Sequence, residues 1–180
     1  MEELFEKRVE NFKKLNLISD DIKKASKIIT SALKKGGKVI FCGNGGSAAD
    51  SNHLAAEFIS KFKKERKSLP AISLSSNNSI ITAIGNDYGF DLVFQRQLEG
   101  IANKNDILYA ITTSGKSKNI IKAVKKAKEL NIKTILITGK NKTNLNCDIE
   151  INAPSDITAE IQEMHIAIGH ILCEIIENKF

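Results

Sequence analysis

The chain has 180 residues, 42% of them hydrophobic and 27% charged, which suits one globular domain with a sizeable core and leaves two domains cramped. Its 27 Lys and Arg against 21 Asp and Glu give a net charge of +6, enough to favour an anionic ligand but too little, and too poorly interleaved with aromatics, to require nucleic acid. Cys42, Cys147 and Cys173 lie far apart with no Cys-x-x-Cys pair, which argues against a disulfide framework or a zinc ribbon and for a reducing, cytoplasmic setting; a charged N-terminus and the lack of any apolar run near ~20 residues predict no membrane partner.

From Met1 to Lys35 the apolar residues Leu4, Phe5, Val9, Phe12 and Leu15, then Ile22, Ala25, Ile28, Ile29 and Leu33, recur at helical spacing. Two helices are expected, separated near residues 16–20, the second capped by Ser19 or Asp20 and stopped by Gly36-Gly37. The apolar stripe of the first is expected to dock on the domain or on a sister subunit.

The next stretch organises the rest. Val39-Ile40-Phe41-Cys42 is an apolar strand, Gly43-Asn44-Gly45-Gly46-Ser47 a glycine-rich turn, and Ala48 to Glu57 an amphipathic segment. A strand feeding a helix through glycines leaves the unpaired N–H groups of the helix N-terminus open to an anion. His53 and Glu57, four apart on that helix, project from one face. Such a turn alone also occurs for purely steric reasons.

Alternation then continues: a short strand at Ala71 to Leu74; helices at Ser79 to Ile84 and Phe90 to Ile101 flanking Gly85-Asn86-Asp87-Tyr88-Gly89; a strand at Ile107 to Ile111; the loop Thr112-Thr113-Ser114-Gly115-Lys116-Ser117; a helix to Leu130; strands at Thr134 to Ile137 and Asp148 to Ile151; and a last helix from about Ile157 to Glu177. Strand and helix in turn predict an α/β fold: a doubly wound, mostly parallel five-stranded sheet with helices on both faces, residues 1–180 forming one domain of which 1–35 is an N-terminal helical segment.

Thr112 to Ser117 offers four hydroxyls and a glycine between a strand and a helix, the chemistry of a phosphate cradle, and without a Walker lysine it favours a sugar phosphate over a nucleoside triphosphate. In the last helix Gln162, Glu163, His165 and His170 interrupt an apolar run. Glu163 is expected in solvent and His165 to be a satisfied, partly buried histidine; His170, in the most hydrophobic part, is harder to assign to packing alone. The His53-x-x-x-Glu57 pair has the spacing of two zinc ligands on one helix face, a weak signal by itself.

Taken together, Cys42-Gly43-Asn44-Gly45-Gly46-Ser47, His53-x-x-x-Glu57, Gly85-Asn86-Asp87-Tyr88-Gly89, Thr113-Ser114-Gly115-x-Ser117 and Ile161-Gln162-Glu163-Met164-His165 with His170 resemble the sugar isomerase (SIS) domain family, and within it the phosphoheptose isomerases, over essentially the full length. The resemblance implies an aldose–ketose isomerase that converts sedoheptulose 7-phosphate to D-glycero-D-manno-heptose 7-phosphate, the first step toward nucleotide-activated heptose for lipopolysaccharide or capsule. It implies substrate contacts at Asn44, Gly45, Gly46, Glu57, Asn86, Asp87, Thr112, Thr113, Ser114, Ser117 and Gln162. It further implies one Zn2+ per subunit on His53, Glu57, Gln162 and His170, acid–base roles for Glu57 and His170, and a homotetramer. The sequence departs from the family pattern at Lys61, where Arg is frequent, at Lys116, where Asn is usual, and at Asn77, where an Asp is usual.

The chemistry suits these groups: moving a carbonyl between C1 and C2 takes a proton from one carbon and returns it to the next through an enediol. The rival class is a non-catalytic SIS-fold protein that binds the replication initiator; such relatives lack the acid and the histidine that stand here as Glu57 and His170. A sugar-phosphate sensor would need a DNA-binding segment for which the chain has no room. Gln162 and His170 are eight residues apart, ~12 Å along a helix, so both reaching one ion from the same helix is not expected. At least one ligand should come from a neighbouring subunit, and chains defective at Glu57 and at His170 are expected to complement one another.

Overall fold

A computed structural model describes residues 1–180. In chain order it has α1 (Glu2–Lys13), a 3-10 turn (Lys14–Ile18), α2 (Ser19–Lys34), β1 (Val39–Gly43), α3 (Gly46–Ile59), β2 (Ala71–Ser73) and α4 (Asn78–Tyr88). A second 3-10 turn (Phe90–Leu92), α5 (Val93–Ile101), β3 (Ile107–Ile111), α6 (Lys118–Glu129), β4 (Lys133–Thr138), β5 (Ile149–Asn152) and α7 (Thr158–Glu177) complete it. The five strands form one sheet in the order β2-β1-β3-β4-β5, parallel throughout.

Because successive strand residues face opposite sides, the sheet divides two cores between its faces. Val39, Phe41, Ile107, Tyr109, Ile135 and Ile137 meet α2, α3 and α7 on one, while Ile40, Cys42, Leu108, Ala110 and Leu136 meet α5 and α6 on the other. Strands covered on both sides read as continuous apolar runs, which is why β1 and β3 are buried at every position. All three cysteines are free.

Two local expectations are corrected. Ser19 does not cap α2: its backbone is already helical (φ −57, ψ −35) because the 3-10 turn leads into the helix, Ile18 takes the capping position, and no side chain closes it. Residues 85–88 are not a loop between helices but the end of α4; one internal glycine costs ~1 kcal/mol in a helix, and Asn77, one of the departures from the family pattern, anchors the start by accepting the Ile80 N–H at 3.1 Å. The helix stops at Gly89, whose φ of 90 a side chain would resist.

α1 rests on the domain through its polar side. Lys7 pairs with Glu160 at 2.9 Å and Arg8 with Glu163 at 3.4 Å, so Glu163 is partnered rather than simply solvated, and Leu4, Phe5, Val9 and Phe12 face outward. The apolar stripe is thus not docked on its own domain. Lys7 first, then the Ser155 hydroxyl, hold Glu160 down to about 2. Since the unfolded carboxyl titrates near its ordinary value, the unfolded chain binds more protons between these two values. The contribution of Glu160 is therefore complete above pH ~4.5 and lost as pH falls toward 2. Thermal unfolding at pH 3 and pH 6 checks this: Glu160→Gln is expected to destabilise the chain at pH 6 and to shrink the difference between the two.

Candidate active site

β1 and β3 are neighbours in the sheet, yet the chain leaves their C-terminal ends in opposite directions, into α3 on one face and α6 on the other. That divergence opens a crevice at the carboxyl end of a doubly wound sheet, where ligands bind. Both glycine- and hydroxyl-bearing loops found in the sequence lie there. At the first, Gly45 has φ 55, Gly43 packs so closely that a Cβ would sit 2.4 Å from the Ser47 carbonyl oxygen, and α3 begins at Gly46, whose N–H is left free at the helix N-terminus while those of Ser47 and Ala48 bond the Asn44 and Gly45 carbonyls at 3.0 Å.

At the second, Gly115 turns the chain at φ 65. Ser117 stands before the first residue of α6 without capping it, which leaves its hydroxyl, 3.4 Å from the Thr112 hydroxyl, and the helix N-terminus open to an anion. The Ser114 hydroxyl accepts the Lys116 N–H at 3.1 Å. Thr113, Ser114, Gly115 and Lys116 border a cleft of about 520 Å³ that residues 139–145 also line. The loops are tied together by Asn44 and Asn119, whose side-chain amides exchange two hydrogen bonds of 2.9 Å. Asn119 was not singled out from the sequence, and the pairing means that the Asn44 side chain is engaged within the protein.

Ser114→Ala and Ser117→Ala are expected to raise KM several-fold with kcat little changed, because phosphate contacts persist from ground state to transition state. Steady-state kinetics of the two variants check this, and a kcat defect at unchanged KM would contradict a phosphate cradle.

The third part of the site comes from α7 lying alongside α3. Gly169 permits the approach: a Cβ there would meet Leu54 Cδ2 at 2.6 Å. The helices run in the same direction, so Gln162 lies against Gly46, where a Cβ would meet its Nε2 at 2.6 Å, and His170 reaches His53. The two Nε2 atoms are 2.9 Å apart, with one proton between them when both rings are neutral. Glu57 Oε1 stands 3.4 Å from His53 Nε2, and the Phe62 ring lies 5.2 Å from that of His170. Burial first and the adjoining His53 second hold His170 below its ordinary pKa, with Glu57 opposing, which favours the neutral ring near pH 7.

His165 is buried beneath the site and its Nε2 meets the Thr138 carbonyl oxygen at 3.2 Å. Burial lowers it to about 4, and Nδ1 has no partner; it is a core histidine, more deeply buried than its sequence suggests. Asp50, one turn before His53, was likewise not singled out: burial raises it to about 6 and its Oδ2 is buried without a partner.

His53, Glu57 and His170 thus meet within one chain, which corrects the expectation that Glu57 and His170 would complement across chains. Gln162 instead stands at the first loop, two turns from His170. The three clustered residues carry the donor chemistry of zinc, two imidazole nitrogens and a carboxylate oxygen. Neither they nor any other set of three or more His, Cys, Asp or Glu is arranged as a finished metal-holding group. Asn86 and Asp87 bond to each other at 2.8 Å on the exposed end of α4, and Asp87 borders a separate cleft of about 450 Å³ between α4 and α5. No hydrogen bond links either to the two loops.

Residues 5–139 match the SIS domain family. The chain belongs to that family. It is 52% identical over 166 residues to the phosphoheptose isomerase of Campylobacter jejuni serotype O:6, covering 91% of this chain and 89% of that one, and 55% identical over 158 residues to that of a Nitratiruptor species, covering 87% and 84%. Among solved structures, a phosphoheptose isomerase from Francisella tularensis superposes with a TM-score of 0.92 at 40% identity over 98% of this chain and 96% of that one. The match to the Francisella structure, over 98% of this chain, extends beyond residue 139 and takes in α7, which carries Gln162 and His170.

Proposed function

We propose that this SIS-family chain is an aldose–ketose isomerase converting sedoheptulose 7-phosphate to D-glycero-D-manno-heptose 7-phosphate. The observation that carries the reading is the meeting of His170, from α7, with His53 and Glu57 on the same α3 whose N-terminus forms the first anion loop. From Gly46 to His53 the helix rises ~10 Å, a separation matched to a long sugar phosphate held by its phosphate at one end and reacting at the other. Glu57 takes the proton from C1, the electron pair becomes the C1–C2 double bond of the enediol, and the protonated Glu57 returns a proton to C2. His170 carries the proton from the C1 hydroxyl to the C2 oxygen, leaving the aldehyde at C1. Retention of both the acid and the histidine argues against a non-catalytic binding role.

Zinc is part of the proposal. His53, Glu57 and His170 would hold it, and the ion, when bound, would polarise the substrate carbonyl. A carboxylate engaged with a metal is a weaker base, so Glu57 must be free of it when it takes the carbon proton. The test is turnover of sedoheptulose 7-phosphate before and after chelation: aldose formation that falls on chelation and returns with zinc supports both parts, aldose formation indifferent to chelation removes the zinc, and no aldose under any condition removes the isomerase.

The cytoplasm, where sugar phosphates are held, and a homotetramer complete the reading. α4 buries none of its residues, and Asn86 and Asp87 lie at its exposed end; contact with a neighbouring chain would cover α4 and the outward stripe of α1 and bring these two residues to a neighbour's crevice. Mixing Glu57→Gln chains with Asp87→Ala chains under subunit exchange is expected to restore activity, measured as aldose formation in mixed oligomers. Mixing Glu57→Gln with His170→Gln is expected to restore none, since those residues meet in one chain.

A further inference from the structure

The segment leaving α3, residues 60–67, is held with unusual thoroughness for an exposed, lysine-rich stretch. The Glu177 carboxylate, at the end of α7, accepts the N–H of Lys63 at 3.1 and 3.2 Å and that of Lys64 at 3.2 Å. Arg66 folds back over the end of α3, donating from Nη2 to the Glu57 carbonyl oxygen at 2.8 Å and from Nη1 to the carbonyls of Phe58 at 2.9 Å and Lys67 at 3.0 Å. A cation at a helix C-terminus is favourably placed against its dipole. Arg66 Nε is 3.8 Å from Glu177, and both side chains are almost wholly buried, at 5% and 1% exposure. A buried pair of this kind demands that its remaining bonding capacity be met, and here most of it is met by backbone groups of this segment and of the end of α3, Arg66 Nε alone lacking a hydrogen-bond partner.

What the segment carries is Phe62. Its ring packs partly into the core and lies 5.2 Å from that of His170, tilted by 38°, while the same His170 ring contacts His53. The same network grips the carbonyl of Glu57 itself. Lys61, the departure from the family's Arg, does not share in it and pairs instead with Glu65 at the surface.

We propose that Phe62 is a positioning residue for the isomerisation: fixed by Glu177 and Arg66, it is the wall that sets the His170 ring against His53 and Glu57. The proposal deepens the reading of His170 as a proton carrier and rests on it. An interval of an ångström in the placement of such a group is enough to cost up to ~100-fold in rate, so a residue that never meets the substrate can govern kcat.

The chain has 3 histidines, so the ring protons of His170 can be assigned by substituting each in turn, and the ring current of Phe62 should displace them in the wild type. Phe62→Ala is expected to lower kcat about 10-fold or more with KM within about 2-fold and to move the His170 resonances. Phe62→Tyr is expected to restore both. Glu177→Gln should shift the His170 resonances in the same direction as Phe62→Ala and lower kcat, and the double variant should be no worse than the poorer single one. Wild-type kcat in Phe62→Ala, or unmoved His170 resonances there, overturns the proposal. Should Glu177→Gln fail to fold, the two Phe62 variants decide the matter alone. The resonances report on Phe62 whether or not sedoheptulose 7-phosphate is the substrate, so failure of the functional reading would show separately, as an inactive wild type.

Discussion

Glu57→Gln is expected to lower kcat by ~10³-fold or more while the chain folds and retains substrate affinity. The amide keeps the volume and hydrogen-bonding reach of the carboxylate, so contact with His53 and the placement of α3 are preserved, but it has no basic oxygen to take a proton from carbon. General-base contributions run to ~10²–10⁴-fold, and in this chain the cluster offers no second carboxylate in contact with His53. The measurement is steady-state turnover beside substrate affinity in the same preparation. Wild-type rates in this variant would take Glu57 out of the base role, and a large loss of affinity with kcat intact would make it a binding group instead.

His170→Gln should come close to that loss, at ~10²-fold or more in kcat. Here the ring is half-buried, in contact with His53 at 2.9 Å, and favoured in its neutral form by burial; glutamine can replace a hydrogen bond but cannot take up and release a proton near pH 7. The control is His165→Gln. That ring is 1% exposed and bonded to a backbone carbonyl, so its replacement is expected to lower the thermal midpoint with little effect on kcat of the folded protein. The reverse pattern, with His165→Gln catalytically dead and His170→Gln active, would invert the assignment of the two histidines.

Much of the fold was legible because both kinds of periodicity were clean. The apolar runs of β1 and β3 and the helical stripes of α6 and α7 stand at the positions read from the sequence, and strand–helix alternation leads directly to a parallel sheet. The joints were harder. A cap at Ser19 was expected from residue type, but capping depends on backbone angles that the preceding 3-10 turn had already fixed. A loop at residues 85–88 was expected from glycine and asparagine, yet a single helical glycine carries too small a penalty to end α4.

The same division holds for the site. Glu57, His53, His170 and the two loops carry side chains or glycines whose chemistry is visible in the sequence, and the structure brings them to one crevice. Asn119, Asp50, Phe62, Arg66 and Glu177 carry no such signal. Asp50 is marked only by burial; the importance of the others lies in pairings across 8 to 114 positions of chain, and a lysine-rich stretch with a phenylalanine in it looks in sequence like a solvated turn beside core. Spacing on α7 did show that Gln162 and His170 cannot reach one point; which of them meets His53 followed only from the parallel packing of α3 and α7.

The central claim is proton transfer between adjacent carbons of a seven-carbon sugar phosphate, and incubating the purified chain with sedoheptulose 7-phosphate in deuterium oxide, followed by NMR, tests it most directly. Aldose carrying deuterium at C2, with deuterium entering C1 of the remaining ketose and both signals lost in Glu57→Gln, is the result this account predicts; a wild-type chain that forms no aldose and exchanges no carbon-bound proton would contradict it.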